Sequence, residues 1–296
     1  MPFKNVHLGI APIAWTNDDM PDLGGENTFE QCISEMALAG YTGSEVGNKY
    51  PADRAVLKKA LGLRGLTICN RWFSSFLLTK SFEEVAAEFE RELDFLSFLG
   101  ANVIGASEQS FSVQGTDKAV FAEKPVMDDA QWDMLCGGLN KLGEIALGRG
   151  MKLTFHHHMG TVVQTEEEID RLMAGTDPKL VHLLFDSGHL SFAGIDPVKV
   201  LSKHVERVAH VHLKDIRPAI VKQVRDENMS FLQAVRAGAF TVPGDGSVDF
   251  KPLFAMLDKA GYEGWFVVEA EQDPVIANPF EYALKARAYI RETAGI

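Results

Sequence analysis

Short apolar runs alternate along the chain with longer segments in which apolar residues recur at helical spacing. A short run that is apolar at almost every position is typical of a strand buried on both faces, as in a parallel sheet. Eight runs predict strands: Val6–Ala14, Tyr41–Val46, Leu66–Asn70, Ala101–Ala106, Lys152–His156, Val181–Asp186, Val208–Leu213 and Trp265–Glu269.

The segments between these runs predict helices. They are Thr28–Ala39, Phe82–Leu99, Asp129–Arg149, Glu166–Ala174, Pro197–His204, Pro252–Ala260 and Pro279–Thr293. Thr28 followed by Gln31 predicts a capping box at the first helix. Glycines after four helices predict left-handed ends, at Gly40, Gly100, Gly150 and Gly261. Eight strands with helical crossovers predict an α/β fold, a TIM (β/α)8 barrel, with residues 1–296 as a single domain.

Two segments are too long for a minimal repeat. Ser107–Met127 follows the fourth predicted strand, and Ile216–Val248 follows the seventh. Both lie on the carboxyl side of a strand, where barrel enzymes build their active sites. They are candidate substrate walls or lids, and oligomer contacts are the alternative use.

Composition limits the classes of function. The chain has 296 residues and a net charge of −12, which disfavours nucleic acid as a partner because binding it requires neutralising phosphates. The three cysteines, Cys32, Cys69 and Cys136, form no CxxC pair and predict reduced thiols in the cytoplasm. No window reaches the roughly 18 apolar residues of a membrane span, so we expect no membrane association.

Metal-ligand chemistry follows four successive predicted strands. The relevant segments are His156-His157-His158, Asp186-Ser-Gly-His189, His210-Val-His212-Leu-Lys214 and Glu269-Ala-Glu271. A single histidine at a strand end is more often a hydrogen-bonded core residue, but four strands that supply ligand types at one end predict a His/Asp/His/Glu metal site. Two carboxylates with two imidazoles favour Mn²⁺ or Co²⁺ over Mg²⁺, with Zn²⁺ as an alternative.

Strand alternation leaves the choice within each pair open. Side chains two apart share a face, so the ligand is either His156 or His158, and His157 points the opposite way. The same ambiguity applies to His210 against His212 and to Glu269 against Glu271. Further polar residues follow the other strands and favour a polyhydroxylated ligand, because each desolvated hydroxyl needs a partner: Asp18, Glu45, Asn48, Lys49, Asn70, Arg71 and Glu108.

Several motifs stand at these strand ends: Asp186-x-x-His189, His212-x-Lys214-Asp215, Gly244-Asp-Gly-Ser-Val-Asp249 and Gly264-Trp-x-Val-Val-Glu269. They resemble the xylose isomerase-like TIM barrel superfamily of sugar isomerases, epimerases, dehydratases and type IV apurinic endonucleases. Longer segments resemble the inosose dehydratase family of bacterial inositol catabolism nearly end to end: Gly9–Pro21, Gly24–Glu26, Glu45–Pro51, His156–Thr161 and Val267–Pro274.

The resemblance implies a metal-dependent hydro-lyase that converts 2-keto-myo-inositol (scyllo-inosose) to a trihydroxycyclohexane-1,2-dione. It assigns Asp186, His212 and Glu269 as metal ligands. Many relatives carry Glu at the fifth-strand position, where this chain offers His156 or His158, and we choose His156 because it ends the strand. The resemblance also associates glutathione with some members, although no residue pattern here demands it.

The same resemblance leaves roles for the remaining polar groups. We expect Glu271, His158 or Lys214 to transfer protons. We expect the polyol-derived ketone to contact Glu45, Lys49, Trp15, Trp72 and His189. An isomerase or epimerase on the same barrel is the alternative function. A DNA-repair phosphodiesterase is disfavoured by the acidic charge, and a non-catalytic binding module predicts binding without turnover. A homo-oligomer is an expectation by analogy only.

Overall fold

The computed structural model describes residues 3–296, in which nine parallel strands form one sheet with the order β3-β2-β1-β11-β8-β7-β6-β5-β4. These strands are β1 (Val6–Ile10), β2 (Gly43–Glu45), β3 (Thr67–Asn70), β4 (Trp72–Ser75), β5 (Val103–Glu108), β6 (Lys152–His156), β7 (Val181–Asp186), β8 (Val208–Leu213) and β11 (Gly264–Val268). A separate antiparallel pair joins β9 (Asp215–Ile216) to β10 (Phe240–Thr241).

The sheet closes through the chain itself between β3 and β4. Only Arg71 separates these two strands; β3 pairs with β2, and β4 pairs with β5. They are therefore two halves of one barrel position, and eight positions make the ring. The TIM (β/α)8 barrel predicted from the sequence is confirmed.

The predicted strands differ from the observed ones mainly at their ends. The first ends at Ile10 rather than at Ala14, because Pro12 begins a short 3-10 turn, Pro12–Ala14. Proline has no N–H to donate to a neighbouring strand. The strand beyond Arg71 was missed, since Trp72–Ser75 carries two serines and does not stand out as an apolar run.

Helices cover the outside of the barrel. Their bounds are α1 (Phe29–Leu38), α2 (Arg54–Gly62), α3 (Phe82–Leu99), α4 (Asp129–Gly148), α5 (Glu166–Gly175), α6 (Ser187–Ala193), α7 (Pro197–His204), α8 (Pro218–Asp226), α9 (Phe231–Arg236), α10 (Phe250–Lys259) and α11 (Pro279–Ala294). All seven predicted helices are present, and α2, α6, α8 and α9 are additional. None of the helices within residues 3–296 is long and apolar enough to span a membrane.

Helix ends follow local chemistry, with one departure from prediction. The Thr28 hydroxyl accepts the Gln31 backbone N–H at 3.1 Å, but the Gln31 side chain donates to Glu35 instead of returning to Thr28. The predicted capping box is thus only half formed. The four predicted glycines do have positive φ, with values of 88°, 88°, 69° and 69° at Gly40, Gly100, Gly150 and Gly261.

The two long segments meet above the carboxyl ends of the strands. Ala119 pairs with Ser230 in an isolated antiparallel bridge, and the Val120 N–H donates to the Met229 carbonyl at 3.1 Å. Both segments contribute to an apolar cluster distinct from the main barrel core, here called the upper cluster: Met20, Leu23, Val120, Met159, Phe192, Ile216, Val221, Val224, Phe231, Ala234, Val235, Ala239 and Phe240. This packing holds the insertions beside the barrel mouth.

Candidate active site

A cavity of about 250 Å³ opens at the carboxyl ends of the strands. Parallel strands converge there, so side chains that are distant in sequence share one space. The polar and aromatic lining comprises Asp18, Asp19, Glu45, Asn48, Asn70, Arg71, Trp72, Gln114, His156, His158, His212, Glu269 and Glu271.

The structure brings the four predicted metal ligands together. His156 Nε2 lies 3.3 Å from Asp186 Oδ2. His212 Nδ1 lies 2.8 Å from Glu269 Oε2 and 3.4 Å from Asp186 Oδ2. All four side chains are buried. His156, Asp186 and His212 lie at the carboxyl ends of β6, β7 and β8, and Glu269 directly follows β11.

A fifth side chain, His189, also approaches this group. One potential ligand atom from each of His156, Asp186, His189 and Glu269 lies within 4.8 Å of the others. However, Lys214 Nζ is 3.0 Å from His189 Nε2, and an ammonium can only donate. A neutral His189 therefore carries its hydrogen on Nδ1 and has no lone pair left for a metal, which favours His212 as the second imidazole ligand.

Close contacts between ligand atoms show that the group fits a cation. His212 Nδ1 and Glu269 Oε2 lie only 2.8 Å apart, yet they form no well-directed hydrogen bond. Buried polar atoms in that state are costly. Three carboxylates, those of Asp186, Glu269 and Glu271, also surround the single ammonium of Lys214. A divalent cation would supply both the missing partners and the missing positive charge.

Lys214 binds the carboxylates rather than lining the cavity. Its Nζ lies 3.0 Å from Glu271 Oε2 and 3.1 Å from Glu269 Oε2. Burial alone would lower the pKa of Lys214, but Glu269, Glu271 and Asp186 raise it above its usual value. Burial raises the pKa of Glu271 to about 8, against the opposing charge of Lys214. Lys214 and Glu271 therefore form a buried pair in which the protonation of one group depends on that of the other.

The histidine triplet divides by face. His158 lines the cavity, and its Nδ1 donates to the Met159 carbonyl at 2.9 Å, which leaves the Nε2 lone pair free. Burial lowers the pKa of His158 and keeps it neutral. His157 instead accepts the Asp186 backbone N–H at 3.5 Å, and burial lowers its pKa to about 3. The prediction that His157 faces away agrees with this placement.

Three predicted substrate contacts, Trp15, Lys49 and His189, do not line the cavity. Trp15 is fully buried, and its indole N–H donates to Glu35 at 2.6 Å. Lys49 Nζ donates to the carbonyls of Gly24, Gly25 and Asn27 and so ties down a loop. The substrate contacts expected of Trp15 and Lys49 stay predictions, and the polar atoms of both side chains already bond to other parts of the protein. Trp72 does line the cavity, with its ring centroid 5.3 Å from that of His156.

Glu45 lines the cavity, and one of its carboxylate oxygens is bound by three neighbouring side chains. Its Oε1 is 3.0 Å from His210 Nε2, 2.9 Å from His212 Nε2 and 2.8 Å from Asn70 Nδ2. Burial would raise the pKa of Glu45, but the imidazoles of His212 and His210 hold it well below its usual range. The carboxylate therefore stays ionised.

Sequence reasoning missed the rim of the cavity. Gln114 Nε2 donates to Asp19 Oδ2 at 2.9 Å and joins the loop after β1 to the insertion after β5. Enclosure in the cavity mouth raises the pKa of Asp18 to about 6, although the Asn48 N–H opposes the shift. The only signal for Gln114 was its position in the segment Ser107–Met127, already predicted as a wall.

Comparison with known proteins agrees with this architecture. Residues 33–293 match the family model of the xylose isomerase-like TIM barrel. The chain is 65% identical over 294 residues to an inosose dehydratase of Geobacillus thermodenitrificans, with 99% of each chain covered. It is 62% identical over 294 residues to an inosose dehydratase of Clostridium perfringens, again with 99% of each chain covered.

Solved structures match at lower identity and show the fold alone. A probable 3-DHS dehydratase from Bacillus anthracis superposes with a TM-score of 0.72 at 15% identity and covers 96% of this chain and 98% of its own. An L-ribulose 3-epimerase gives 0.70 at 16% identity, with 98% of this chain and 95% of its own covered.

Proposed function

Because the chain belongs to the xylose isomerase-like TIM barrel family and shares full-length identity with its inosose dehydratases, we propose that it is a hydro-lyase acting on 2-keto-myo-inositol. The product is a trihydroxycyclohexane-1,2-dione. The observation that carries the proposal is the cavity itself, which joins a cation-binding group to hydrogen-bonding side chains suited to a ring with many hydroxyls.

His156, Asp186, His212 and Glu269 would hold a divalent cation, for which we propose Mn²⁺ or Co²⁺. Two imidazoles with two carboxylates suit these ions. When bound, such a cation polarises a ketone and stabilises negative charge that develops on its oxygen. The close approach of His212 Nδ1 to Glu269 Oε2, at 2.8 Å, and to Asp186 Oδ2, at 3.4 Å, supports this assignment.

The side chains of this chain would carry the protons. Dehydration removes hydrogen from the carbon beside the ketone and protonates the β-hydroxyl as it leaves. Glu271 and His158 both line the cavity, and each is placed to take or give one of these protons. Lys214 lies behind Glu271 at 3.0 Å, where we propose that it positions and charge-balances this carboxyl rather than meeting the substrate.

Turnover and metal removal test this function together. Purified protein with Mn²⁺ should convert 2-keto-myo-inositol to a dione with a new ultraviolet absorbance. We expect chelation to abolish it and added Mn²⁺ to restore it. Asp186→Asn should lose at least about 100-fold in kcat, as loss of buried electrostatic stabilisation typically does.

Glu144→Gln is the control. Glu144 is an exposed carboxylate on α4 and does not line the cavity. Its variant should keep turnover. Full activity after thorough chelation would overturn the metal assignment, and an epimerised ketone as the product would favour the isomerase alternative.

The wider setting follows from the same proposal. A small polyol-derived ketone is the partner, acting in the cytoplasm, where the free and buried Cys32, Cys69 and Cys136 would stay reduced. Homo-oligomerisation and a need for glutathione are proposals that rest on resemblance.

A further inference from the structure

We propose that Glu45 is a positioning residue whose single carboxylate oxygen fixes a metal ligand, His212, and a substrate-recognition residue, Asn70, at the same time. This inference deepens the proposed function and rests on it, because it requires a cation at His212. It replaces the direct substrate contact that the sequence predicted for Glu45.

Three nitrogens converge on Glu45 Oε1. Asn70 Nδ2, His212 Nε2 and His210 Nε2 lie 2.8, 2.9 and 3.0 Å from it. A carboxylate oxygen accepts hydrogen bonds, so the three nitrogens are the donors. Hydrogen bonds to a charged acceptor are stronger than those between neutral groups, so this oxygen holds all three side chains in place.

The first consequence concerns which nitrogen of His212 faces the cation. With a cation bound, His212 would carry its hydrogen on Nε2, toward Glu45, and offer the lone pair of Nδ1. Nδ1 is the atom that lies 2.8 Å from Glu269 Oε2 and 3.4 Å from Asp186 Oδ2. A carboxylate behind a ligating imidazole sets its tautomer and ring orientation in this way.

The second consequence concerns Asn70. Its amide nitrogen is committed to Glu45, so its orientation is fixed and Oδ1 remains. Oδ1 is buried without a hydrogen-bond partner, and the residue lines the cavity with only 2% of its surface exposed. An unpaired buried carbonyl is costly until a donor arrives. A ring hydroxyl of the substrate is such a donor.

Gly105 on β5 keeps this position open. A Cβ there would lie 3.0 Å from Asn70 Nδ2 and 3.3 Å from Oδ1, so a larger residue would crowd the amide. Gly105 also lines the cavity. The space beside the Asn70 carbonyl is therefore available to a ligand.

Mn²⁺ binding, followed by electron paramagnetic resonance of the free ion, tests the His212 half of the proposal without any turnover. In Glu45→Gln a neutral amide replaces the charged acceptor, so the hydrogen bonds from all three donors weaken or are lost. We expect Mn²⁺ affinity to fall about 10- to 100-fold. Glu45→Asp keeps the charge on a shorter arm and should fall less, and it serves as the second variant if Glu45→Gln does not fold.

Steady-state kinetics test the Asn70 half. Asn70→Ala removes the carbonyl but leaves Glu45 with both imidazoles, so Mn²⁺ affinity should stay within about 2-fold of wild type. KM for 2-keto-myo-inositol should rise about 2- to 10-fold, the loss of one hydrogen bond. If Asn70 were only structural, Asn70→Ala would lower the melting temperature but would not raise KM while leaving the Mn²⁺ affinity unchanged.

These measurements distinguish failure of the roles proposed for Glu45 and Asn70 from failure of the proposed function. Wild-type protein that neither binds Mn²⁺ nor forms a dione would overturn that function itself. Wild-type binding with unchanged affinity in folded Glu45→Gln would overturn the role of Glu45 toward His212. Unchanged KM in Asn70→Ala would overturn its role in recognition. Glu144→Gln, at an exposed position on α4, should match wild type in all three measurements.

Discussion

The role of a single side chain in this site can be judged only when its hydrogen-bond partners are known. Asp186, His212 and Glu269 could be predicted as neighbours because they end parallel strands, and strand ends meet at one rim. Trp15 and Lys49 could not be judged this way, because their polar atoms are used by Glu35 and by loop carbonyls. The shared Glu45 oxygen was equally hidden, since its three donors come from two other strands, β3 and β8.

Gly188 shows why a small residue stands between Asp186 and His189. A Cβ at this position would lie 2.3 Å from Lys214 Cγ and 2.6 Å from its Cδ, and Lys214 is fully buried. We expect Gly188→Ala to destabilise the protein by about 1 to 3 kcal/mol, the usual cost of overpacking, and to reduce kcat by shifting Lys214 away from Glu271. Urea denaturation and steady-state kinetics measure both effects.

Gly137 in α4 is the matched control, because a Cβ there would meet no atom within 4 Å. Gly137→Ala should be neutral or stabilising by up to about 1 kcal/mol, as expected when alanine replaces glycine in a helix. If both variants were equally stable and active, the packing of Lys214 against Gly188 would have no importance.

Helices could be predicted from the sequence where the apolar pattern extended over the whole helix and the helix only packs against the barrel. Helices α3 and α7 match the predicted bounds, because their ends coincide with the start and end of the apolar pattern. Helix α6 was missed: Asp186 is both a candidate ligand and the residue whose carboxylate accepts the His189 N–H at 2.8 Å to begin the helix. A segment identified as a ligand motif can therefore also be the start of a helix, as Asp186 is for α6.

The insertion between β8 and α10 should behave as a unit held by the upper cluster. Phe240 is fully buried there; its ring centroid is 5.2 Å from that of His189 and 4.6 Å from Lys214 Nζ. Phe240→Ala should cost about 3 to 5 kcal/mol locally. We expect faster proteolysis within residues 216–248 and a loss of kcat/KM, while circular dichroism still reports a folded barrel.

Phe254→Ala provides the contrast, because Phe254 packs in the main barrel core against Phe250 and Phe266. That variant should lower the melting temperature of the whole protein instead. Equal global destabilisation by both substitutions would show that the insertion does not loosen separately from the barrel.

At the scale of the whole molecule, the barrel class followed from eight apolar runs, but its closure did not. The break at Arg71 depends on pairing with two different neighbours, and pairing is a long-range property that no local pattern encodes. That residues 1–296 act as a single domain stays a prediction. Residues 1 and 2 of that range lie outside the described residues.

Cation binding should stabilise the whole fold if the four ligands act together. A ligand that binds only the native state adds RT ln(1 + [L]/Kd), or about 2.7 kcal/mol at 100 times Kd. We expect Mn²⁺ to raise the melting temperature by several degrees, chelation to reverse the gain, and Asp186→Asn to show no gain. Scanning calorimetry measures this, and identical transitions with and without Mn²⁺ would contradict it.

The junction at Arg71 also has a consequence for how such barrels diverge. Asn70 belongs to the half-strand tied to β2, whereas Trp72 belongs to the half tied to β5. Two lining residues that are almost adjacent in the chain are therefore anchored to different neighbours. Substitutions beside one strand can move one of these residues while the other keeps its register, so we expect relatives that accept different sugars to differ first on either side of Arg71.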